Sequence, residues 1–246
     1  MSRPRILVTG ASRRIGREIA VELARRGCDL VLTSTRGAEG LFETVAAVAM
    51  ADRAANVELR TLHLEDPASI AEVAASLADA TLDGLVHNAS VYEPSPLESL
   101  EPEILARDLA VHATGPLLLT AALRPILERS SLAARPAIAL LLDIHASGRP
   151  RRSWSSYLMS KAAKASLVEV LAVELAPAIR TVGLELGAVL WPEGSDPDLV
   201  ARYESRIPLG RSGSAEEVAR ATAWALLEAS YVTGETIRLD GGRWLR

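Results

Sequence analysis

The segment RILVTGASRRIG, Arg5 to Gly16, decides how this chain folds. Ile6, Leu7 and Val8 follow one another without a polar interruption, as in a strand buried on both faces. Gly10 breaks the run, and a helical stripe begins, with Ile15, Ile19 and Leu23 on one face and Gly27 as its stop. A strand, a glycine turn and a helix N-terminus form an anion site, because unpaired backbone N–H groups and the helix dipole face one point. Gly10 makes the turn and Gly16 lets the backbone come close. Arg14 occupies the middle position of a three-glycine dinucleotide fingerprint, so the fingerprint is incomplete.

The same rhythm continues along the chain. Strand candidates are RILVTG (5–10), CDLVLTST (28–35), VELRTLHL (57–64), GLVHNAS (84–90), AIALLLDIH (137–145), VGLELGAV (182–189) and TIRLDGG (236–242). Between them lie helical patterns over Arg14 to Arg26, Ala38 to Asp52, Pro67 to Ala80, Pro102 to Ser130, Ser155 to Leu175 and Ala215 to Glu228. Alternating strands and helices predict a parallel sheet with helices on both faces. Right-handed crossovers make it doubly wound, with ligands at the carboxyl ends of the strands. The polar residues that end the strands are therefore site candidates.

Composition narrows the function. The chain has 246 residues, 49% hydrophobic, with no Pro/Gly/Ser-rich linker, so a single α/β domain is expected. The net charge of −4 gives no nucleic-acid footprint. One cysteine, Cys28, excludes an internal disulfide and fits a cytoplasmic setting. No signal peptide or apolar run of membrane-spanning length stands out, and the four histidines have no metal-ligand spacing.

Tyr157 and Lys161, in SSYLMSK, are four residues apart and share one helix face. A lysine ammonium beside the tyrosine hydroxyl would favour the phenolate and lower its pKa from about 10, giving a proton donor and acceptor near neutral pH. Other strand ends add to this. The second carries Arg36 rather than an acidic residue, which suits a ribose 2′-phosphate and hence NADPH. The fourth ends in Asn88 and Ala89, and the fifth places Asp143 upstream of Tyr157. The cluster RPRRSW (149–154) reads as a solvated loop, and WPEGSDPD (191–198) as a loop over the site.

Taken together, Thr9 to Gly16, Asn88-Ala89, Tyr157 with Lys161 and the C-terminal VTGETIRLDGG resemble the short-chain dehydrogenase/reductases, over nearly the whole chain. The resemblance implies a Rossmann fold and a nicotinamide cofactor. Arg14, the segment HNASVY, Asp143 in place of a catalytic serine, and the strings DIHASGRP and GAVLWPEG are similar to the pteridine and dihydromonapterin reductases within that family. That subgroup implies NADPH-dependent reduction of a pterin or folate. Tyr157, Lys161 and Asp143 would be catalytic. The cofactor would meet Gly10, Arg14, Ile15, Gly16, Arg36, Leu64, Asn88, Ala89, Ser90, Tyr157, Lys161 and Gly187. The substrate would meet Arg14, Ser90, Tyr92, Asp143 and Tyr157. A homotetramer or homodimer is the assembly the resemblance implies.

The pattern has departures. His112 stands where the family has a relay asparagine, His63 where an adenine-contacting aspartate is usual, and His87 where an asparagine precedes Asn88. Val182 and Leu186 replace an asparagine and a proline. A carbonyl or 3-oxoacyl-type reductase, and an NADP(H)-binding protein of weak activity, are the alternatives.

Overall fold

Successive strand residues face opposite sides of a sheet, so a strand covered on both sides must be apolar throughout. β1 (Arg5–Val8) obeys this: Ile6 and Val8 enter one core, and Leu7 enters the other. In the computed structural model, which describes residues 3–191 and 194–246, six further strands join it. They are β2 (Asp29–Ser34), β3 (Val57–Thr61), β4 (Gly84–His87), β5 (Ala137–Asp143), β6 (Arg180–Leu186) and β7 (Glu235–Leu239). All pair in parallel, in the order β3-β2-β1-β4-β5-β6-β7. The winding direction reverses between β1 and β4, and that crevice is where such sheets bind ligands.

On one face, α1 (Arg14–Arg25) lies against α9 (Ala215–Leu227). Ile19, Ala20, Leu23 and Ala24 meet Val218, Ala219, Ala223 and Leu226, and the alanines let the two helices approach closely. Gly27, at φ +77°, closes α1: its N–H donates to Ala24 O, and the Cys28 N–H to Leu23 O. α2 (Gly37–Ala51) lies beside α1 on this face. On the other face α3 (Pro67–Ser76), α4 (Pro102–Leu109), α5 (Gly115–Leu127) and α7 (Ser155–Leu175) cover the sheet.

Four sequence expectations change. The stretch Pro102 to Ser130 is not one regular helix: α4 and α5 are joined by a π-turn over Ala110–Thr114. Pro116 has no N–H for the His112 carbonyl four residues back, and its ring crowds that carbonyl. The Gly115 N–H instead reaches Ala110 O, one residue further than in an α-helix. Composition alone makes Pro102–Leu127 long and apolar enough to cross a bilayer, contrary to the expectation of no such run. Leu119 and Leu123 are nevertheless fully buried in the sheet's second core, and Asp108 accepts a hydrogen bond from Ser156 on α7.

The fifth strand ends at Asp143 rather than His145. Asp143 caps α6 (Ile144–Ser147), its Oδ1 accepting the His145 N–H at 2.8 Å. Within the expected loop 191–198, Pro192 and Glu193 lie outside the described residues. Asp196 begins α8 (Pro197–Glu204), accepting the Asp198 N–H with Pro197 in the first turn.

Candidate active site

The carboxyl ends of β1 and β4 are locked together before any ligand is considered. The Asn88 side-chain amide donates to Thr9 O and to Gly10 O, both at 2.9 Å. Thr9 Oγ1 in turn accepts the Asn88 and Ala89 N–H groups at 3.0 and 3.1 Å. A Cβ on Gly16 would sit 2.2 Å from Gly10 O and 2.5 Å from Asn88 Nδ2, so only glycine fits there. Gly10 is at φ +64°, and a Cβ on it would meet Ala89 Cα at 2.8 Å.

Above this lock, the N-terminus of α1 carries no side-chain cap and no acidic residue in its first turn. Arg13 and Arg14 flank it, both exposed. Arg14 is held at φ +54°, a conformation that costs an L-residue roughly 1–2 kcal/mol. Its guanidinium crosses the cleft to Leu190 O at 3.1 Å. Uncapped N–H donors beside two arginines fit the diphosphate of a dinucleotide.

The other expected cofactor residues are placed as follows. Ile15 is half-buried against the first core. Arg36 is exposed at the end of β2, its N–H on Ser34 Oγ at 3.0 Å, and no carboxylate pairs with it among the described residues. Leu64 turns its side chain into the second core, so only its backbone is left to face a ligand. Gly187 follows β6, and a Cβ there would meet Asp240 at 2.9 Å.

On the far side of the crevice, the buried face of α7 carries Tyr157, Lys161, Lys164, Val168 and Leu171. The Tyr157 hydroxyl donates to Asp143 Oδ2 at 2.9 Å. Lys161 does not reach that hydroxyl. Its Nζ donates to Leu141 O at 3.3 Å and lies 5.7 Å from the Tyr157 ring centroid. The expected lowering of the tyrosine pKa is therefore reversed: burial, then the Asp143 charge, push the phenol well above its ordinary value. Burial pulls Lys161 down to about 8, against the opposing pull of Asp143. The arrangement is a proton shared between a phenol and a carboxylate, with a buried amine beside it.

Around the phenol stands an aromatic wall. Tyr92 meets Tyr157 edge-on at 5.1 Å, and Trp154 lies 4.2 Å from Tyr92 and 5.5 Å from Tyr157. Trp154 belongs to the segment expected to be a slack loop. That segment is instead fixed, with the Ser95 N–H donating to Ser153 O at 2.7 Å. Its position just before the helix that carries Tyr157 was the available signal. His145 contacts Tyr203 of α8 at 3.1 Å and Arg149 O at 2.9 Å, and Trp191 meets Tyr203 edge-on at 5.3 Å.

His112 is fully engaged by protein. Ser160 Oγ donates to Tyr157 O, so it accepts from the His112 Nδ1–H at 2.7 Å. Nε2 accepts the Val91 N–H at 3.2 Å and lies 2.9 Å from Ser90 Oγ. Burial, then the nearby cations Lys161, Lys164 and Arg107, lower its pKa to about 2. Histidine here holds Ser90 and α7 in place as a neutral ring, with neither nitrogen bonded to Lys161.

Residues 10–243 match the family described as enoyl-(acyl carrier protein) reductase. The chain belongs to the short-chain dehydrogenase/reductase family. It is thus an oxidoreductase using a nicotinamide cofactor. Among its relatives is the 3β-hydroxysteroid dehydrogenase 1 of Eggerthella lenta, 30% identical over 98% of this chain and 93% of that one. A short-chain type dehydrogenase/reductase from Mycobacterium marinum superposes with a TM-score of 0.86 at 26% identity, covering 98% and 95% of the two chains. The FolM alternative dihydrofolate reductase 1 from Brucella canis, complexed with NADP, superposes at 0.85 with 26% identity, covering 99% and 95%.

Proposed function

We propose that this short-chain reductase is an NADPH-dependent pterin reductase, taking a dihydropterin or dihydrofolate to its tetrahydro form. The observation that carries the reading is the Asp143 carboxylate on the Tyr157 hydroxyl at 2.9 Å, beside the Tyr92–Trp154 wall. Hydride addition to a ketone or to a ring C=N needs a proton, on oxygen or on nitrogen, and the Asp143 carboxylate beside the phenol would repel the oxyanion that a ketone develops. A phenol kept protonated by burial and a neighbouring carboxylate suits delivery to nitrogen. Tyr157 gives its proton to N5, and Asp143 orients the hydroxyl and returns a proton from solvent. Lys161 steadies the phenolate side of the transfer as a cation. Tyr92 and Trp154 flank a flat ring. The uncapped turn around Gly10, Arg14 and Gly16 would hold the diphosphate of NADPH and Arg36 its 2′-phosphate, and the bound cofactor would supply the hydride.

The test is NADPH oxidation at 340 nm with dihydrobiopterin, dihydromonapterin and dihydrofolate, against β-ketoacyl and steroid ketones. Pterin turnover at least tenfold above ketone turnover is expected, and the reverse order rejects the reading. The hydroxysteroid dehydrogenase relative, which acts on an alcohol/ketone pair, favours the ketone side, which is the second reading.

Cofactor choice has its own test. Arg36 has no acidic partner among the described residues, so its charge is available to a 2′-phosphate. Arg36→Glu is expected to lower the NADPH-over-NADH ratio of kcat/KM by about 10–100-fold, the size of a charge-assisted hydrogen bond lost. An unchanged ratio places the 2′-phosphate elsewhere. The exposed Leu117, Leu118, Met159, Val170 and Val173 on α5 and α7 support assembly into a homodimer or homotetramer. Cys28, buried and with its thiol pushed up to about 12, is inert and suits a cytoplasmic setting.

A further inference from the structure

Arg151 is exposed, yet it is held in one place. Its Nη1 donates to the Tyr92 hydroxyl at 2.9 Å, and its guanidinium carbon lies 5.2 Å from the Trp154 ring centroid. Trp154 and Tyr92 both pack against Tyr157, so the cation is anchored to the same wall as the phenol.

The backbone that presents it is also constrained. Arg149 and Ser153 sit at φ +54° and +65°, conformations that L-residues adopt only when surroundings impose them. The Arg149 carbonyl is bonded by His145, and the Ser153 carbonyl by the Ser95 N–H.

Several other exposed or half-exposed arginines in this acidic chain find carboxylates, Arg107 with Glu93, Arg124 with Glu128, Arg211 with Glu217 and Arg238 with Glu185, whereas among the described residues Arg13, Arg14 and Arg36 at the nucleotide end do not. Among the described residues, no carboxylate pairs with Arg149, Arg151 or Arg152. One N–H of Arg151 is used by Tyr92, which leaves four donors of a planar fork facing the mouth of the site.

We infer that Arg151 is the receptor for an anionic group at the far end of the substrate, so that a flat reducible ring carrying a carboxylate tail is preferred over the same ring with a neutral tail. The inference rests on the pterin reading above and names the class of pterin. A carboxylate meets the guanidinium through two parallel N–H bonds, while the ring lies along Tyr92 and Trp154 toward Tyr157. A phosphorylated side chain offers the same chemistry from another source.

The experiment compares kcat and KM for dihydrofolate, whose glutamate tail carries carboxylates, and for dihydrobiopterin, whose side chain is neutral. A phosphorylated dihydropterin is the third substrate. Wild type, Arg151→Gln and Arg151→Lys are each measured at 20 and 300 mM NaCl. The wild type is expected to favour an anionic tail, and whichever of the two anions is preferred identifies the source. Arg151→Gln is expected to cut the anionic-over-neutral ratio of kcat/KM by about 10–100-fold, mainly through KM, with partial recovery in Arg151→Lys. Salt is expected to raise KM for the anionic substrates more than for dihydrobiopterin.

A ratio within twofold of wild type in Arg151→Gln, with both rings still reduced, overturns the tail receptor and leaves the pterin reading standing. Absence of turnover on every pterin in the wild type overturns both. Intrinsic NADPH fluorescence on binding checks that each variant is folded.

Discussion

Replacing Tyr157 by phenylalanine is expected to lower kcat by about 10²–10⁴-fold, the range for loss of a positioned general acid. The substitution deletes one oxygen and keeps the ring that packs against Tyr92, Trp154 and His112. NADPH affinity should therefore stay near wild type, and the loss should appear in kcat rather than in folding. Asp143→Asn preserves an acceptor for the hydroxyl while removing the charge that helps to hold the phenol protonated. Its kcat is expected to fall as well, because an amide cannot pass a proton on. The pH profile separates the partners. With the phenol pKa raised, Tyr157 keeps its proton across the neutral and mildly alkaline range. The ammonium of Lys161 is present below about pH 8 and lost above it. Reduction by the wild type should thus decline with a limb near pH 8. Retention of more than a tenth of wild-type kcat in Tyr157→Phe, with the preferred substrate in hand, would remove the phenol from the mechanism.

Acid should weaken the fold through two histidines. His87 and His112 are both fully buried. Burial, reinforced by Lys164, holds His87 well below the ordinary histidine range, and His112 is lowered to about 2. His87 Nε2 contacts Thr120 at 2.8 Å, while its buried Nδ1 has no partner to receive a second N–H. In the unfolded chain both rings titrate near ~6.5. Between that value and their depressed folded values, the unfolded state binds more protons. Stability is therefore full above about pH 6.5 and is lost as pH falls, by about 1.4 kcal/mol per pH unit for each histidine. At pH 5 the two together cost about 4 kcal/mol, a large part of a typical domain's stability. Urea midpoints at pH 7 and pH 5 measure this directly. His112→Asn is expected to lose about 2 kcal/mol less than wild type between those pH values, and His87→Asn likewise. An acid loss equal to wild type in both variants would show that these rings are not the cause.

The fold was legible because the central strands β1 and β5 are nearly unbroken apolar runs, the edge strands β3 and β7 alternate, and helix-length patterns separate them. The candidate site was legible in part. Tyr157, Lys161 and Asp143 could be named from their positions, since strand ends converge on one edge of a parallel sheet. The direction of the tyrosine pKa could not, because spacing places Lys161 on the right helix face without saying which oxygen its ammonium will meet. That oxygen is Leu141 O, on the same strand as the Asp143 that accepts from the phenol. Trp154 and Arg151 were hidden for a related reason. Their segment is polar and carries proline and glycine neighbours, the composition of a loose loop, and it is fixed by Tyr92 and Ser95, distant in sequence, together with the nearby His145. The helix α8 was masked by flanking glycine and proline, although the pair Asp196–Pro197 is itself a helix-start signal.

The lock at the sheet's switch point binds two distant parts of the chain, the first turn and the end of β4, into one unit of change. Gly10 O, the Asn88 amide and the Cα of Gly16 occupy a space with no room for one more carbon. A bulkier residue at 16 displaces the turn, a shifted turn strands the amide hydrogens of Asn88, and a different residue at 88 loosens both. None of the three can drift while the others stay. The aromatic wall, by contrast, is assembled from Tyr92, Trp154 and Tyr157, whose rings meet through side-chain contacts alone. Divergence among proteins built this way is therefore channelled away from the nucleotide end and into the mouth, where new specificities can arise without disturbing the old grip.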